Sequence, residues 1–273
     1  MKISAYYAAL LESGFARWGM LKPVKRALRP LKNRFEARLV GRLEAEGPFL
    51  FPKHFDRKTR LQFLLGTYEP ETTAAFKEYL KPGMTVLDIG ANLGYYTWLA
   101  SGLVGDQGSV FSFEPEPANY SLLLANIKKW NRHNIVPLNK AVSEHVGHAT
   151  LQLSAKNGCH SLVAAVDPTG KVDVETVSID ALAEQRGLQR LDFIKIDVEG
   201  AELPAFKGMR KTLERFSPAI VFELNPKFQS QAGYTTDELV GFFKDLGYSI
   251  AYLEDETELA KKGYLNAIAT KIS

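Results

Sequence analysis

The 273-residue chain is 45% hydrophobic and 24% charged, a globular composition with room for one large α/β domain and an extension. Its single cysteine, Cys159, excludes an internal disulfide and a thiolate metal cluster, so a reducing cytoplasm is the simpler expectation. The net charge of +3 hides an asymmetry: residues 1–42 carry ten Lys and Arg against two Glu, net +8, and the remainder carries 24 against 29, net −5.

Residues 1–42 mix Leu, Phe, Tyr and Trp18 with Lys22, Lys25, Arg26, Arg29, Lys32, Arg34 and Arg38, while Pro23 and Pro30 break any single long helix. The pattern fits an amphipathic helix on a membrane surface or partner subunit, and equally a docking helix whose basic face is solvated. No apolar run approaches the ~20 residues of a membrane span, and no small-residue cleavage site follows an apolar segment. The expectation is a cytoplasmic protein, peripheral to a membrane at most, with residues 1–69 as a basic helical extension and 70–273 as the main domain.

Gly47, Pro48 and Pro52 punctuate a polar and aromatic stretch, after which residues 71–80 read as a helix ended by Lys81, Pro82 and Gly83. Apolar β-rich runs at 85–89, 109–113, 135–139, 193–196 and 219–222 then alternate with helical patterns at 95–102, 117–131, 179–185 and 201–216, the last with a break at Gly208. Such alternation implies crossovers and a largely parallel sheet. Between the third and fourth strands, 149–153 and 172–178 alternate as an antiparallel pair around the loop 155–171, a candidate substrate lid. After a helix at 236–246 closed by Gly247, the segments 248–253 and 265–270 read as a hairpin at the sheet edge, joined by a short polar, acidic connection. The predicted fold is α/β: a mostly parallel, seven-stranded sheet with an antiparallel C-terminal edge hairpin.

Open α/β sheets bind ligands beyond the carboxyl ends of their strands, so the turn after the first strand, Asp88-Ile89-Gly90-Ala91-Asn92-Leu93-Gly94, is where a site is expected. Gly90 and Gly94 let backbone approach a ligand, and the helix opening at Tyr95 offers free N–H groups. The spacing lacks the middle glycine of a dinucleotide fingerprint. Asp88 on the strand itself suits a cationic ligand such as adenosylmethionine, which carries an ammonium and a sulfonium beside its carboxylate. Glu114, closing the second strand, is placed to accept hydrogen bonds from both ribose hydroxyls of an adenosine, or to cap the helix beginning at Pro117. Tyr95 belongs to the expected pocket through its backbone as much as its ring, and Tyr96 and Trp98 to the packing beneath.

The segments 86–97, 111–115, 139–143 and above all Phe193-Ile194-Lys195-Ile196-Asp197-Val198-Glu199-Gly200-Ala201-Glu202 resemble the FkbM-type methyltransferases. The resemblance covers roughly residues 70–225, including Gly208 and Phe222-Glu223-Leu224-Asn225, and leaves the basic arm outside. It implies a class I methyltransferase sheet, adenosylmethionine as donor, and an oxygen acceptor on a saccharide or other natural product. Carried over motif by motif, it places Asp88, Gly90, Asn92, Gly94, Tyr95, Thr97, Glu114 and Ala141 against the cofactor, joined by Ser161 from the loop. Asp197, Glu199 and Glu202 resemble the family's active-face acids.

Methyl transfer is an in-line displacement at an activated carbon, so the protein must align the acceptor and remove its proton. Asp197, ending the fourth strand, is the first candidate for that base or orienter. Glu199 reads as a substrate acceptor, a helix cap or the ion-pair partner of Lys195, and Glu202 as a first-turn acid favoured by the helix dipole. Glu223 shares a rim with Asp197. Two acids have the oxygen chemistry a divalent cation takes, but without further placed ligands they suit acceptor hydroxyls equally, and no metal is assigned. His160, in the loop beside Ser161, titrates where it could take a hydroxyl proton; the alternative is an exposed loop residue. The basic arm raises nucleic acid as a partner, against which stand the acidic rim and the absence of an Asn/Asp-Pro-Pro-aromatic tetrapeptide that holds a flipped base. The contrasting reading is a catalytically idle methyltransferase-like scaffold that recruits a partner or membrane through the arm.

Overall fold

Every position of the strand Thr85–Ile89 is buried, the mark of a strand covered on both faces in the middle of a sheet. The computed structural model describes residues 38, 41–53, 55–155, 160–163 and 167–272. The expectations for residues 1–37, for His54 and Cys159, and for 156–159 and 164–166 of the proposed lid fall outside them. The chain divides into two units, 1–73 and 74–273.

In the first unit, residues 41–46 are helical and α1 (Arg57–Leu65) begins at Asp56, whose side chain accepts from Thr59 N at 3.0 Å. Phe63 on α1 packs edge-on against Phe49, Phe55 and Tyr68 with centroids 4.6–5.8 Å apart. Arg60 holds the preceding chain by donating to the carbonyls of Pro52 and Phe55 and to Glu44. The helix α2 (Pro70–Tyr79) spans the boundary between the units.

The second unit carries β1 (Thr85–Ile89), α3 (Tyr95–Val104), β2 (Ser109–Phe113), α4 (Pro117–Trp130), β3 (Ile135–Leu138), β4 (Ala141–Val142), β5 (Gly147–Ser154), β6 (Pro168–Val177), α5 (Ile179–Gln185), β7 (Phe193–Ile196), α6 (Glu202–Lys207) and α7 (Arg210–Phe216). It ends with β8 (Ala219–Leu224), α8 (Pro226–Gln231), α9 (Thr236–Asp245), β9 (Tyr248–Tyr252), α10 (Thr257–Lys262) and β10 (Leu265–Lys271). The main sheet has the order β3-β2-β1-β7-β8-β10-β9, parallel from β3 to β8 and antiparallel through β10 and β9. This is the mostly parallel seven-stranded sheet that the alternation predicts, with the C-terminal hairpin at its edge. A second sheet, β4-β6-β5, contains the expected antiparallel pair.

Residues Leu87, Ile89, Ile194 and Ile196 enter the large core with Phe206, Phe222, Phe243 and Tyr248, where rings stack edge-on at 4.8–5.8 Å. The alternate residues therefore face the other side. There Phe193 meets Phe76 of α2, which in turn packs on Tyr96 of α3 at 4.8 Å. The register sets Asp88 between Ser112 of β2 and Lys195 of β7, a polar row across three buried strands.

One local expectation changes. The connection between β9 and β10 is not a short loop: it contains α10, whose Glu258 pairs with Lys261 and Lys262 and whose end is set by Gly263 at φ +84°. A charged helix of six residues has no apolar periodicity to read. The helix at 201–216 is two helices, α6 and α7, divided as expected near Gly208, where a Cβ would stand 2.1 Å from the Ser143 carbonyl oxygen.

Candidate active site

Strand order reverses between β1 and β7, since the chain continues from β1 through β2 to β3 and then resumes on β1's other edge. The carboxyl ends of these two strands flank the crevice where an open α/β sheet holds its ligand. Gly90 follows β1 with φ +84°, and a Cβ there would lie 1.9 Å from the Asp197 carbonyl oxygen, so the β1 turn touches the β7 turn where a side chain has no room. Asp197 N donates to Ile89 O at 3.0 Å and completes that seam.

The turn is tied to β2 as well. Gly90 N and Ala91 N both donate to Phe113 O, and Asn92, at φ +52°, donates its N–H to Glu114 Oε2 at 2.8 Å. Gly94, at φ +96°, opens α3 without a side-chain cap, and its missing Cβ makes room for Leu123 and Trp130. Buried Asn126, to which no sequence motif points, donates to Leu93 O at 2.9 Å and fixes the turn from α4. Tyr95 is buried and meets Tyr96 edge-on at 5.1 Å.

Glu114 does not cap the helix at Pro117. That cap is Glu116, which accepts from Asn119 N. Glu114 is buried and uses one carboxylate oxygen for Asn92 N and the other for Glu116 N, at 3.0 Å, leaving each oxygen a second lone pair. Burial pushes its carboxyl up to about 7, against the pull of those two N–H groups. Asn139 donates to the Glu114 and Pro115 carbonyls and so brings the segment leading to Ala141 against the end of β2.

Asp88 is equally enclosed. Thr97 Oγ1 lies 2.5 Å from Asp88 Oδ2 and 2.9 Å from Ser112 Oγ. Burial raises Asp88 to about 6, opposed by the Thr97 hydrogen bond and by the Lys195 charge. Two carboxyls thus flank the glycine turn, each poorly compensated by the protein alone.

On the other side of the seam stand the acids of β7 and β8. Lys195 Nζ lies 3.2 Å from Asp197 Oδ2, an ion pair within the β7 end. Glu199 sits at φ +53° in the turn, and its carbonyl oxygen accepts from Ser161 Oγ at 2.6 Å. Buried Ser161 also accepts from Val163 N and pairs with Gln152 through two backbone hydrogen bonds, anchoring the described part of the proposed lid on the β7 turn. Glu202 is in the first turn of α6 as expected, but its carboxylate reaches back to Val198 N and Gly200 N and accepts from Tyr234 Oη at 3.0 Å. It is a brace for the turn.

Glu223 accepts from Asn225 Nδ2 at 3.0 Å, and burial, then the charges of Asp197, Glu199 and Glu202, hold it well above the usual carboxylate range. His160 is partly buried, not an exposed loop residue, and its Nδ1 accepts from Ser154 N at 3.0 Å. Burial lowers its pKa against the charge of Glu116. With Nδ1 occupied, the neutral ring carries its proton on Nε2 and offers a donor there. Among the described residues no three or more His, Cys, Asp or Glu are grouped to hold a metal, and no helix is long and apolar enough to cross a membrane.

The site's motifs fall inside a family match. Residues 88–250 match the family described as "Methyltransferase FkbM domain". Hexuronic acid methyltransferase AglP of Haloferax volcanii is 31% identical over 136 residues, covering 49% of this chain and 53% of that protein. Methyltransferase 1 of Beauveria bassiana is 25% identical over 144 residues, 45% of this chain and 57% of its own. The matched part thus spans little more than half of these relatives. A crystal structure of a candidate rRNA methylase from Clostridium thermocellum superposes with a TM-score of 0.50 at 12% identity, covering 75% of this chain and 95% of that one, a likeness of fold alone. From the family match, which takes in the glycine turn, Glu114 and the acids of β7 and β8, the chain belongs to the FkbM methyltransferase family.

Proposed function

We propose that this protein transfers a methyl group from adenosylmethionine to a hydroxyl of a saccharide or natural-product acceptor. The observation that carries this reading is the glycine turn at the β1–β7 switch point, flanked by two buried, undercompensated carboxyls, Asp88 and Glu114. The donor's chemistry fits those groups: an ammonium suits Asp88, and a ribose diol suits the remaining lone pairs of Glu114. Gly90, Asn92, Gly94, Tyr95, Thr97, Ala141 and Ser161 complete the proposed surround. When bound, adenosylmethionine supplies an activated methyl group.

The chain's own residues supply alignment and proton handling. Asp197, at the seam and partly exposed, accepts the proton of the acceptor hydroxyl at a carboxylate oxygen. Glu223, whose carboxyl burial and three facing acids hold well above the usual carboxylate range, shares the rim and hydrogen-bonds the acceptor hydroxyl. Glu199 shapes the β7 turn that carries Asp197, and His160 supports the start of the lid through Ser154. Similarity to a hexuronic acid methyltransferase favours a saccharide acceptor.

The test is incubation of the full chain with methyl-labelled adenosylmethionine and an extract of the source cell, followed by mass identification of labelled products. A labelled saccharide or other hydroxyl-bearing small molecule is expected. Label confined to RNA or protein, or no label transferred, overturns the reading.

A further inference from the structure

Lys195 is 1% exposed, in the middle of a central strand. Burying an ammonium costs several kcal/mol unless it is paired and hydrogen-bonded, whereas an aliphatic side chain would fill the same row without that cost. Two carboxylates and a ring are among the neighbours of Lys195. Asp88 is its register neighbour on β1, Asp197 Oδ2 lies 3.2 Å from Nζ, and the Tyr96 ring centroid lies 5.5 Å away. One of these acids belongs to the proposed cofactor turn and the other to the proposed acceptor rim.

We propose that Lys195 is a positioning residue: its ammonium offsets the repulsion between the Asp88 and Asp197 carboxylates and fixes where both point, joining the two halves of the site. The inference rests on the proposed function. The groups facing Asp88 are Thr97 of α3, Ser112 of β2, and Lys195 and Asp197 from the β7 side. Of these, Asp197 pushes the Asp88 pKa up and Lys195 pulls it down. The buried carboxyls of Glu202 and Glu223 also face Asp197, so the lysine is a cation set among several acids.

The test measures the affinity of the full chain for adenosylhomocysteine across a pH series, in the wild type, Lys195→Met and Lys195→Arg. Wild-type affinity is expected to fall as pH drops through about 7, where Glu114 takes up its proton, and to fall again through about 6, where Asp88 takes up its own. Loss of the ammonium is expected to move the second fall upward by about one pH unit or more, and Lys195→Arg, which keeps the charge, to leave it in place. Superimposable wild-type and Lys195→Met curves overturn the proposal, as does a fall near pH 6 that persists in Asp88→Asn. If Lys195→Met does not fold, Lys195→Gln, neutral and polar, is measured in its place. At about pH 8, where Asp88 is charged in the wild type, label transfer from saturating adenosylmethionine into the cell extract is expected to drop about tenfold or more in Lys195→Met and to recover in Lys195→Arg. An unchanged rate overturns the role toward Asp197. A wild type that binds no adenosylhomocysteine at any pH is a different failure, that of the methyltransferase reading itself.

Discussion

Glu114 has both carboxylate oxygens on backbone N–H groups and still prefers its proton up to about 7, because burial outweighs two hydrogen bonds. Its folded pKa lies above the ordinary 4.5, so the folded state binds the extra proton between those two values. Stability contributed by this group is therefore present at the acid end of that window and lost as pH rises through it. Denaturant unfolding should show a decline on the order of 3 kcal/mol from this group over the window, and Glu114→Gln should flatten it. A variant with the wild-type slope would show that the carboxyl is not buried as described. Gly90→Ala addresses the seam. A Cβ 1.9 Å from the Asp197 carbonyl, on a residue at φ +84°, forces β1 and β7 apart. A loss of at least about 2 kcal/mol is expected in the same unfolding experiment, with weakened adenosylhomocysteine binding.

The elements that carry these residues were legible to different degrees. The strands Thr85–Ile89, Ser109–Phe113 and Phe193–Ile196 and the helix Ile179–Gln185 have the bounds read from the sequence, since each is a short apolar run or a capped helix between clear turn residues. The helix Pro226–Gln231, begun by Asn225 with a proline in its first turn, and the two-residue strand Ala141–Val142 are too short for periodicity to register. What the sequence could not provide is register. The placing of Asp88 beside Lys195 depends on how β1 and β7 align. Likewise nothing in the local sequence of the loop after β5 announces that Ser161 bonds to the Glu199 carbonyl, thirty-eight positions away. Ser161→Ala removes that bond and the acceptor of the Val163 amide. The expected outcome is faster hydrogen exchange at Val163 and a stability loss of about 1 kcal/mol; unchanged exchange would separate the loop from the β7 turn.

At the scale of the molecule, the residues after 42 carry net −5, and four of their acids, Asp197, Glu199, Glu202 and Glu223, gather on one side of the switch point. Asp88 and Glu114 hold the other side. Acids on both sides of one crevice suit a ligand that donates hydrogen bonds and carries positive charge, and the sheet topology puts that crevice where the family match begins. We propose that Asp88 and Glu114 receive the cofactor's ammonium and ribose. Both have pKa values raised to about 6 and about 7, so a ligand that favours their charged forms must drive protons off. Titration calorimetry of adenosylhomocysteine at about pH 6.5, in buffers of different ionisation enthalpy, reads this directly. Saturable binding with net proton release that shrinks in Glu114→Gln is expected. Absence of binding, or a binding enthalpy independent of buffer, would contradict it.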